Sequence, residues 1–210
     1  ANDGERRRAS TWAAVSYLHE GKLEAALGEV RRREAIAAET NDVGAISADR
    51  NFAGDILLAA GRLDEAERAY RECVEMSDAS SATDEVKEAT RRNLNYDLAR
   101  VAIAAGDATK ARALADEYRR QVDVSKIPFE LWQVSELEGW IAAAGGDWYG
   151  ATKAFAEGNQ QDPRVSFALA QALEAAGQDD SALEACRVVA TFNQLNVNYG
   201  FVRRAALSMC

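Results

Sequence analysis

Gly21-Lys22-Leu23-Glu24-Ala25-Ala26 is the first of five similar stretches that decide the fold of this 210-residue chain. A glycine begins each stretch and an alanine follows five residues later; the other four are Gly61-Arg62-Leu63-Asp64-Glu65-Ala66, Gly106-Asp107-Ala108-Thr109-Lys110-Ala111, Gly146-Asp147-Trp148-Tyr149-Gly150-Ala151 and Gly177-Gln178-Asp179-Asp180-Ser181-Ala182. A further small residue stands seven positions before each glycine: Ala14, Gly54, Ala99, Gly139 and Ala170. Self-similarity of this kind predicts a repeat architecture.

The pattern predicts that each repeat is a helical hairpin. Glycine relieves the backbone where one helix ends and the next begins, and the two small residues let the paired helices approach closely. Four residues after the shared alanine, the second helix carries a mostly apolar residue on the same face: Val30, Tyr70, Ala115, Phe155 and Cys186. These side chains are expected to fill the interfaces between hairpins.

Residues 1–210 are therefore predicted to form a single domain of stacked hairpins. The hairpins are expected near residues 4–39, 43–77, 84–121, 128–160 and 164–190. A final helix near 197–209 has an apolar side that includes Tyr199, Phe201 and Val202. Because the terminal repeat of a stack exposes an apolar flank, we interpret this helix as a cap on the fifth hairpin.

From about Ser10 to Ala190, the chain resembles the tetratricopeptide repeat family. The members of this family are built from helical hairpins with small residues at these spacings, often with a proline that closes the second helix, as Asp162-Pro163 could do here. The resemblance implies an all-α, right-handed α-solenoid of about five hairpins plus the C-terminal capping helix. The shared glycines are 40, 45, 40 and 31 residues apart, against a family unit of 34, so extra residues are expected around 40–42, 77–83 and 122–127.

Composition excludes several classes of function. The 25 basic and 34 acidic side chains give a formal charge of −9, which argues against nucleic acid as a partner. No stretch approaches the roughly 18 apolar residues of a membrane span, so we expect no membrane insertion and a soluble chain, with the cytoplasm as the favoured compartment. The runs Arg6–Arg8 and Arg31–Arg33 are interpreted as solvated helix faces, and no disulfide is expected from three cysteines.

The sequence contains no motif that predicts catalysis. His19 is the only histidine, and its place near a helix end is ordinary for that residue. There is no C-x-x-C, no H-E-x-x-H and no glycine-rich loop ending in Lys-Ser/Thr. We therefore predict that the chain is not an enzyme and needs neither a metal nor another cofactor.

Stepping back 13, 10, 6 and 3 residues from each shared glycine follows one stripe along each first helix, which should line the concave surface of the solenoid. The residues of this stripe combine amides, charges and aromatic rings, the types that anchor interfaces and pair with peptide backbone. The predicted binding residues are Asn51, Asn93, Tyr96, Arg100, Gln133, Glu136, Trp140, Phe167 and Gln171. The aromatic members could instead pack between neighbouring first helices.

Some family members hold a C-terminal carboxylate with a set of Lys, Asn and Arg residues in this groove. Here the stripe has Thr11 and Val15 in the first hairpin and Asn93 followed by Asp97 in the third, so that clamp is not expected. The leading hypothesis is a non-catalytic adaptor, monomeric or weakly associating, that binds a peptide or protein segment in the groove. Two alternatives remain: a structural or self-assembling scaffold, and a regulatory portion of a larger enzyme.

Overall fold

A computed structural model describes residues 2–192 and 194–209, and this part of the chain contains eleven α-helices and no β-strand. In chain order the helices are α1 (Asp3–His19), α2 (Leu23–Glu39), α3 (Val43–Ala59), α4 (Leu63–Ala79), α5 (Asp84–Ala104), α6 (Ala108–Ser125), α7 (Pro128–Ala144), α8 (Trp148–Glu157), α9 (Pro163–Ala175), α10 (Asp179–Ala190) and α11 (Tyr199–Met209). Successive helices pack against each other from α1 to α10, so the chain forms five hairpins stacked in order.

The five shared glycines end the first helix of every hairpin. All five have a positive φ, between 71° and 79°, a conformation that glycine adopts without the steric cost of a Cβ atom. In the first hairpin, the amide of Gly21 donates to the carbonyl of Leu18 and the amide of Lys22 to that of Tyr17. This pattern satisfies the last carbonyls of the helix and turns the chain sharply into the next one.

The size of the residue seven positions before the glycine is matched to the side chain that meets it. Where the second helix carries a large ring, Tyr70 or Phe155, the first helix carries Gly54 or Gly139, and a Cβ atom there would lie 2.5 Å from that ring. Where the second helix carries valine, alanine or cysteine, the corresponding residue is a buried alanine. A large side chain on the second helix is thus paired with a glycine on the first, and a smaller one with an alanine, so that the two helices pack closely in every repeat.

Substituting Gly139 with alanine should lower the free energy of unfolding by about 1–3 kcal/mol, because the added methyl group would overlap the ring of Phe155. Gly28 is the matched control, since it lies in the middle of α2 and a Cβ atom there has no neighbour within 4 Å. Gly28→Ala should raise stability by about 0.5–1 kcal/mol. Chemical denaturation checks both, and a stabilising Gly139→Ala would contradict the packing described here.

The segments between hairpins differ more than the hairpins do. Residues 80–83 lead into α5, the longest helix, whose N-cap Thr83 accepts a hydrogen bond from the amide of Val86. α8 ends at Glu157, and Pro163 begins α9 rather than closing α8, with Asp162 as its N-cap. Cys186 is disulfide-bonded, which corrects the expectation that no cysteine is paired, whereas Cys73 is a buried free thiol.

The final helix does more than cover the fifth hairpin. α11 packs on α9 and α10, as a cap would, and it also packs on α1. Gly200 makes the close approach to α1, because a Cβ atom there would lie 3.0 Å from the Leu18 side chain and 3.1 Å from the Val15 carbonyl oxygen. The C-terminal helix therefore joins the two ends of the solenoid.

Candidate functional site

The first helices of the hairpins bring the predicted binding residues to one side of the solenoid, but most of them are not open to solvent. Tyr96, Gln133, Glu136 and Phe167 are buried, Asn51, Asn93, Arg100 and Trp140 are half-buried, and Gln171 is exposed. Buried amides and charges without hydrogen-bond partners would cost free energy. The structure supplies those partners within the chain itself.

An ionic network lies at the centre of this surface and consists of Asp55, Asp97, Arg100, Asp162 and Arg164. The Arg100 guanidinium contacts Asp55 at 2.7 Å and Asp97 at 3.2 Å, and that of Arg164 contacts Asp55 and Asp162, both at 3.3 Å. No member has a side chain more than 19% exposed. Because Asp55 and Arg164 are 109 residues apart, the network links the second hairpin to the fifth.

The pKa values of Asp55 and Asp97, the two carboxyl groups that contact Arg100, are shifted in opposite directions. Burial acts to raise the pKa of Asp55, but Arg100 and Arg164 outweigh burial, so the pKa of Asp55 is lowered. Burial dominates at Asp97 and raises its pKa to about 7, although Arg100 opposes the shift.

A chain of hydrogen-bonded side-chain amides extends from Asp97 towards α7. Asn51 and Asn93 each donate to the same Asp97 oxygen at 2.8 Å. Gln133 donates to the Asn93 carbonyl oxygen at 3.3 Å and accepts from the Tyr118 hydroxyl at 2.6 Å. These bonds fix the amides of α3, α5 and α7 in position.

The aromatic members of the predicted set pack against each other and against second helices. The Trp140 ring lies 6.3 Å from that of Tyr96 and 5.9 Å from that of Phe155, and the Arg100 guanidinium stands over both Trp140 and Tyr96. The Tyr96 hydroxyl donates to Glu136 at 2.8 Å, and burial raises the pKa of both groups. This cluster has the contacts of a core.

α11 occupies the part of the concave surface between the first and last hairpins. The Phe201 ring meets that of Phe52 edge-on at 6.4 Å, and the Arg164 guanidinium stands 5.8 Å from the Phe201 centroid. Asn198, just before the helix, donates to Asp162 at 2.7 Å. A cavity of about 320 Å³ remains between α11 and the first helices, lined in part by Arg100, Trp140, Phe167 and Gln171; we call it the α11 cavity.

Gly200→Leu should detach α11 from α1, because the larger side chain would meet the backbone as well as the side chains of α1. Ala205→Leu is the matched control, since Ala205 is exposed on the same helix. We expect hydrogen exchange of the α11 amides to accelerate at least about tenfold in the first variant only. Equal exchange in the two variants would contradict the contact.

A larger cavity, of about 520 Å³, lies in the other half of the concave surface, and we call it the α3–α5 cavity. α3, α4 and α5 form most of its wall, and α7 contributes Phe129, Glu130 and Gln133. Asn51, Asn93 and Asp97 also line it. At its edge Phe129 and Val86 are 53% and 52% exposed, so this half of the groove presents apolar surface to solvent.

A charge cluster in the first two hairpins escaped the sequence analysis. Asp49 is completely buried and its carboxylate contacts Arg7 at 3.1 Å and Arg33 at 2.7 Å. Both arginines belong to runs that were interpreted as solvated helix faces, and that interpretation is wrong for these two. The signal in the sequence was an isolated acidic residue among the apolar positions of α3.

In the part of the chain that the structure describes, His19 is not hydrogen-bonded to another side chain. His19 has a buried Nδ1 atom without a hydrogen-bond partner, and no hydrogen bond joins it to the nearby Ser16 or Glu20. Residues 2–192 and 194–209 contain no group of three or more His, Cys, Asp or Glu that could hold a metal ion. Within the same ranges, no helix combines the length and the apolar character needed to cross a membrane.

Comparisons with known proteins agree with this architecture. Residues 50–80, which span most of the second hairpin, match the family model described as a tetratricopeptide repeat. Two solved structures are similar to this chain. One is a kinesin light chain-like protein of Podosopora anserina with nearly identical TPR-like repeats, and the other is a single-substitution variant of it. Each is 20% identical to this chain; the first comparison covers 87% of this chain and 92% of that one with a TM-score of 0.49.

The comparison with the variant covers 89% of this chain and 94% of that one, with a TM-score of 0.50. At this identity the likeness concerns the fold alone, and it confirms the predicted α-solenoid of helical hairpins. No curated protein matches the chain in sequence.

Proposed function

We propose that this chain, which has the fold of tetratricopeptide-repeat proteins and matches their family model over residues 50–80, is a non-catalytic adaptor that binds a segment of a partner protein in its concave groove. Tetratricopeptide repeats generally mediate protein–protein interactions. The observation that carries the proposal is the α3–α5 cavity, which combines a polar floor with an exposed apolar edge. Interfaces are built in this way, with buried anchors and polar groups that fix orientation.

The open half of the groove is the part that suits a partner segment. In the other half, α11 already packs on α1, α9 and α10, and the rings of Trp140 and Phe167 belong to packed clusters. Among the predicted binding residues, Asn51, Asn93 and Gln133 line the α3–α5 cavity. We therefore assign partner contact to these three and a structural role to Tyr96 and Glu136.

The self-assembling scaffold makes a different demand on the structure. Homotypic stacking of solenoids needs an open apolar flank at the ends, and α11 packs on both the first and the last hairpin. Light scattering at several concentrations separates the two hypotheses. We expect the mass of one chain throughout, and a stable dimer would favour the scaffold.

Capture of partners from a cell extract tests the adaptor directly when groove-filling variants are compared. Ala48 and Ala59 are both exposed on α3; Ala48 lines the α3–α5 cavity and Ala59 the α11 cavity. We expect the same protein to be captured by wild-type chain, by Ala59→Trp and by Val188→Trp, whose site on α10 is 58% exposed, but not by Ala48→Trp. Undiminished capture by Ala48→Trp would overturn the proposal.

A further inference from the structure

We propose that the α3–α5 cavity receives the positively charged side chain of a lysine or arginine from the partner segment. This inference rests on the proposed function and adds the chemistry of the partner to it. The hydrogen-bonding capacity, the charge and the shape of the cavity all suit such a side chain.

The hydroxyl groups of the cavity have no hydrogen left to donate. Ser47 and Ser80 donate to the carbonyl oxygens of Cys73 and Ser77, at 2.9 and 2.7 Å. Ser77 donates to the Thr90 hydroxyl at 3.3 Å, and Thr90 donates to the Val86 carbonyl at 2.8 Å. Since each hydroxyl has one hydrogen and two lone pairs, these four groups can offer a ligand only acceptor capacity.

The amides add further acceptor capacity. Asn51 and Asn93 each use one N–H on Asp97, and Gln133 uses one on Asn93. The side-chain Oδ1 of Asn51 accepts no hydrogen bond from any residue that the structure describes. The second N–H of each amide is the main donor that remains, so the lining is richer in acceptors than in donors.

The charge of the lining has the same sign throughout. Asp97 and Glu130 are its ionisable carboxyls, and no lysine, arginine or histidine lines the cavity. Arg100 and Arg92 contact these carboxylates at 3.2 and 2.9 Å, but neither lines the cavity. These arginines balance part of the charge, and the pKa of Asp97 is raised to about 7. With no cation in the lining itself, a lysine or arginine is favoured there over a carboxylate or phosphate.

The shape suits a long side chain with an apolar stem. Val86 and Phe129 form the exposed apolar edge of the cavity, and Val74 and Leu94 add apolar wall beside them. Lysine and arginine bury their methylene stems along such surfaces and place their donors at the end. A purely apolar side chain would leave the floor without a partner, which costs free energy in a desolvated site.

Capped heptapeptides that differ only at the central position test the proposal with the full chain. Arginine, lysine, citrulline and norleucine are compared in one alanine–serine background by NMR titration at low ionic strength. We expect the arginine and lysine peptides to bind at least about tenfold more tightly than the citrulline and norleucine peptides. The side-chain amide signals of Asn51, Asn93 and Gln133 should shift.

Three variants identify the site of binding. Ala48→Trp should abolish the binding and Glu130→Gln should weaken it about tenfold, while Ala59→Trp should leave it unchanged. Equal binding of the arginine and citrulline peptides, or no binding of either, would overturn the cationic preference. The proposed function would then still be decided by extract capture with Ala48→Trp, so the two failures are distinguishable.

Discussion

Asp55→Ala is expected to lower the free energy of unfolding by about 3–5 kcal/mol, the usual cost of removing one partner from a buried ion pair. The Asp55 side chain is 12% exposed and forms ion pairs with both Arg100 and Arg164. It also accepts a hydrogen bond from the buried Tyr70 hydroxyl at 2.9 Å. Without it, two guanidinium groups on different hairpins would face each other with one carboxylate fewer.

Glu88→Ala is the matched control, because Glu88 is an exposed carboxylate on a helix with no ion pair among the described residues. Its effect should remain within about 0.5 kcal/mol. Urea denaturation of both variants gives the comparison. A loss below about 1 kcal/mol for Asp55→Ala would mean that the network does not hold the second and fifth hairpins together.

Trp140→Ala should cost about 3 kcal/mol of stability, because the half-buried ring packs against Tyr96, Phe155 and the Arg100 guanidinium. The sequence left two roles open for this residue, an anchor for a ligand and a packing residue. Its contacts favour packing. Partner affinity should therefore fall no more than the loss of folded protein explains.

Trp132→Ala is the control for this prediction, since Trp132 lies on the same helix and is 39% exposed. Its loss of stability should be below about 1 kcal/mol. Denaturation and binding are measured on both variants. Unchanged stability of Trp140→Ala together with at least about 2 kcal/mol of lost affinity would return Trp140 to the binding surface.

The hairpins were predictable because the contacts that define them are local. A glycine with positive φ, an alanine five residues later and a small residue seven before all act within one hairpin, so their spacing is visible in the sequence. The match in size between Gly139 and Phe155 is also visible in the sequence. A glycine precedes the shared glycine by seven residues in the two hairpins whose second helix carries a large aromatic ring four residues after the shared alanine. Contacts within one hairpin can therefore be predicted from the spacing of the repeated residues.

The contents of the groove were not predictable in the same way, because they depend on the curvature of the whole solenoid. The stripe identified residues that meet, but not that Arg164 would reach Asp55 or that α11 would return to α1. As a result, the concave surface that the sequence predicted to be open is partly filled by α11. The contacts of Arg7 and Arg33 were missed for a different reason: their partner Asp49 lies in the next hairpin, so no spacing within one hairpin indicates them.

Photo-crosslinking tests the central claim, that a partner segment binds in the open half of the groove. A benzophenone analogue of phenylalanine replaces Phe129, at the exposed edge of the α3–α5 cavity, or Val188, which is exposed on α10. We expect the captured partner to be crosslinked efficiently from position 129, through one short segment of its chain, and not from position 188. Equal yields from the two positions, or crosslinks from position 188 alone, would contradict it.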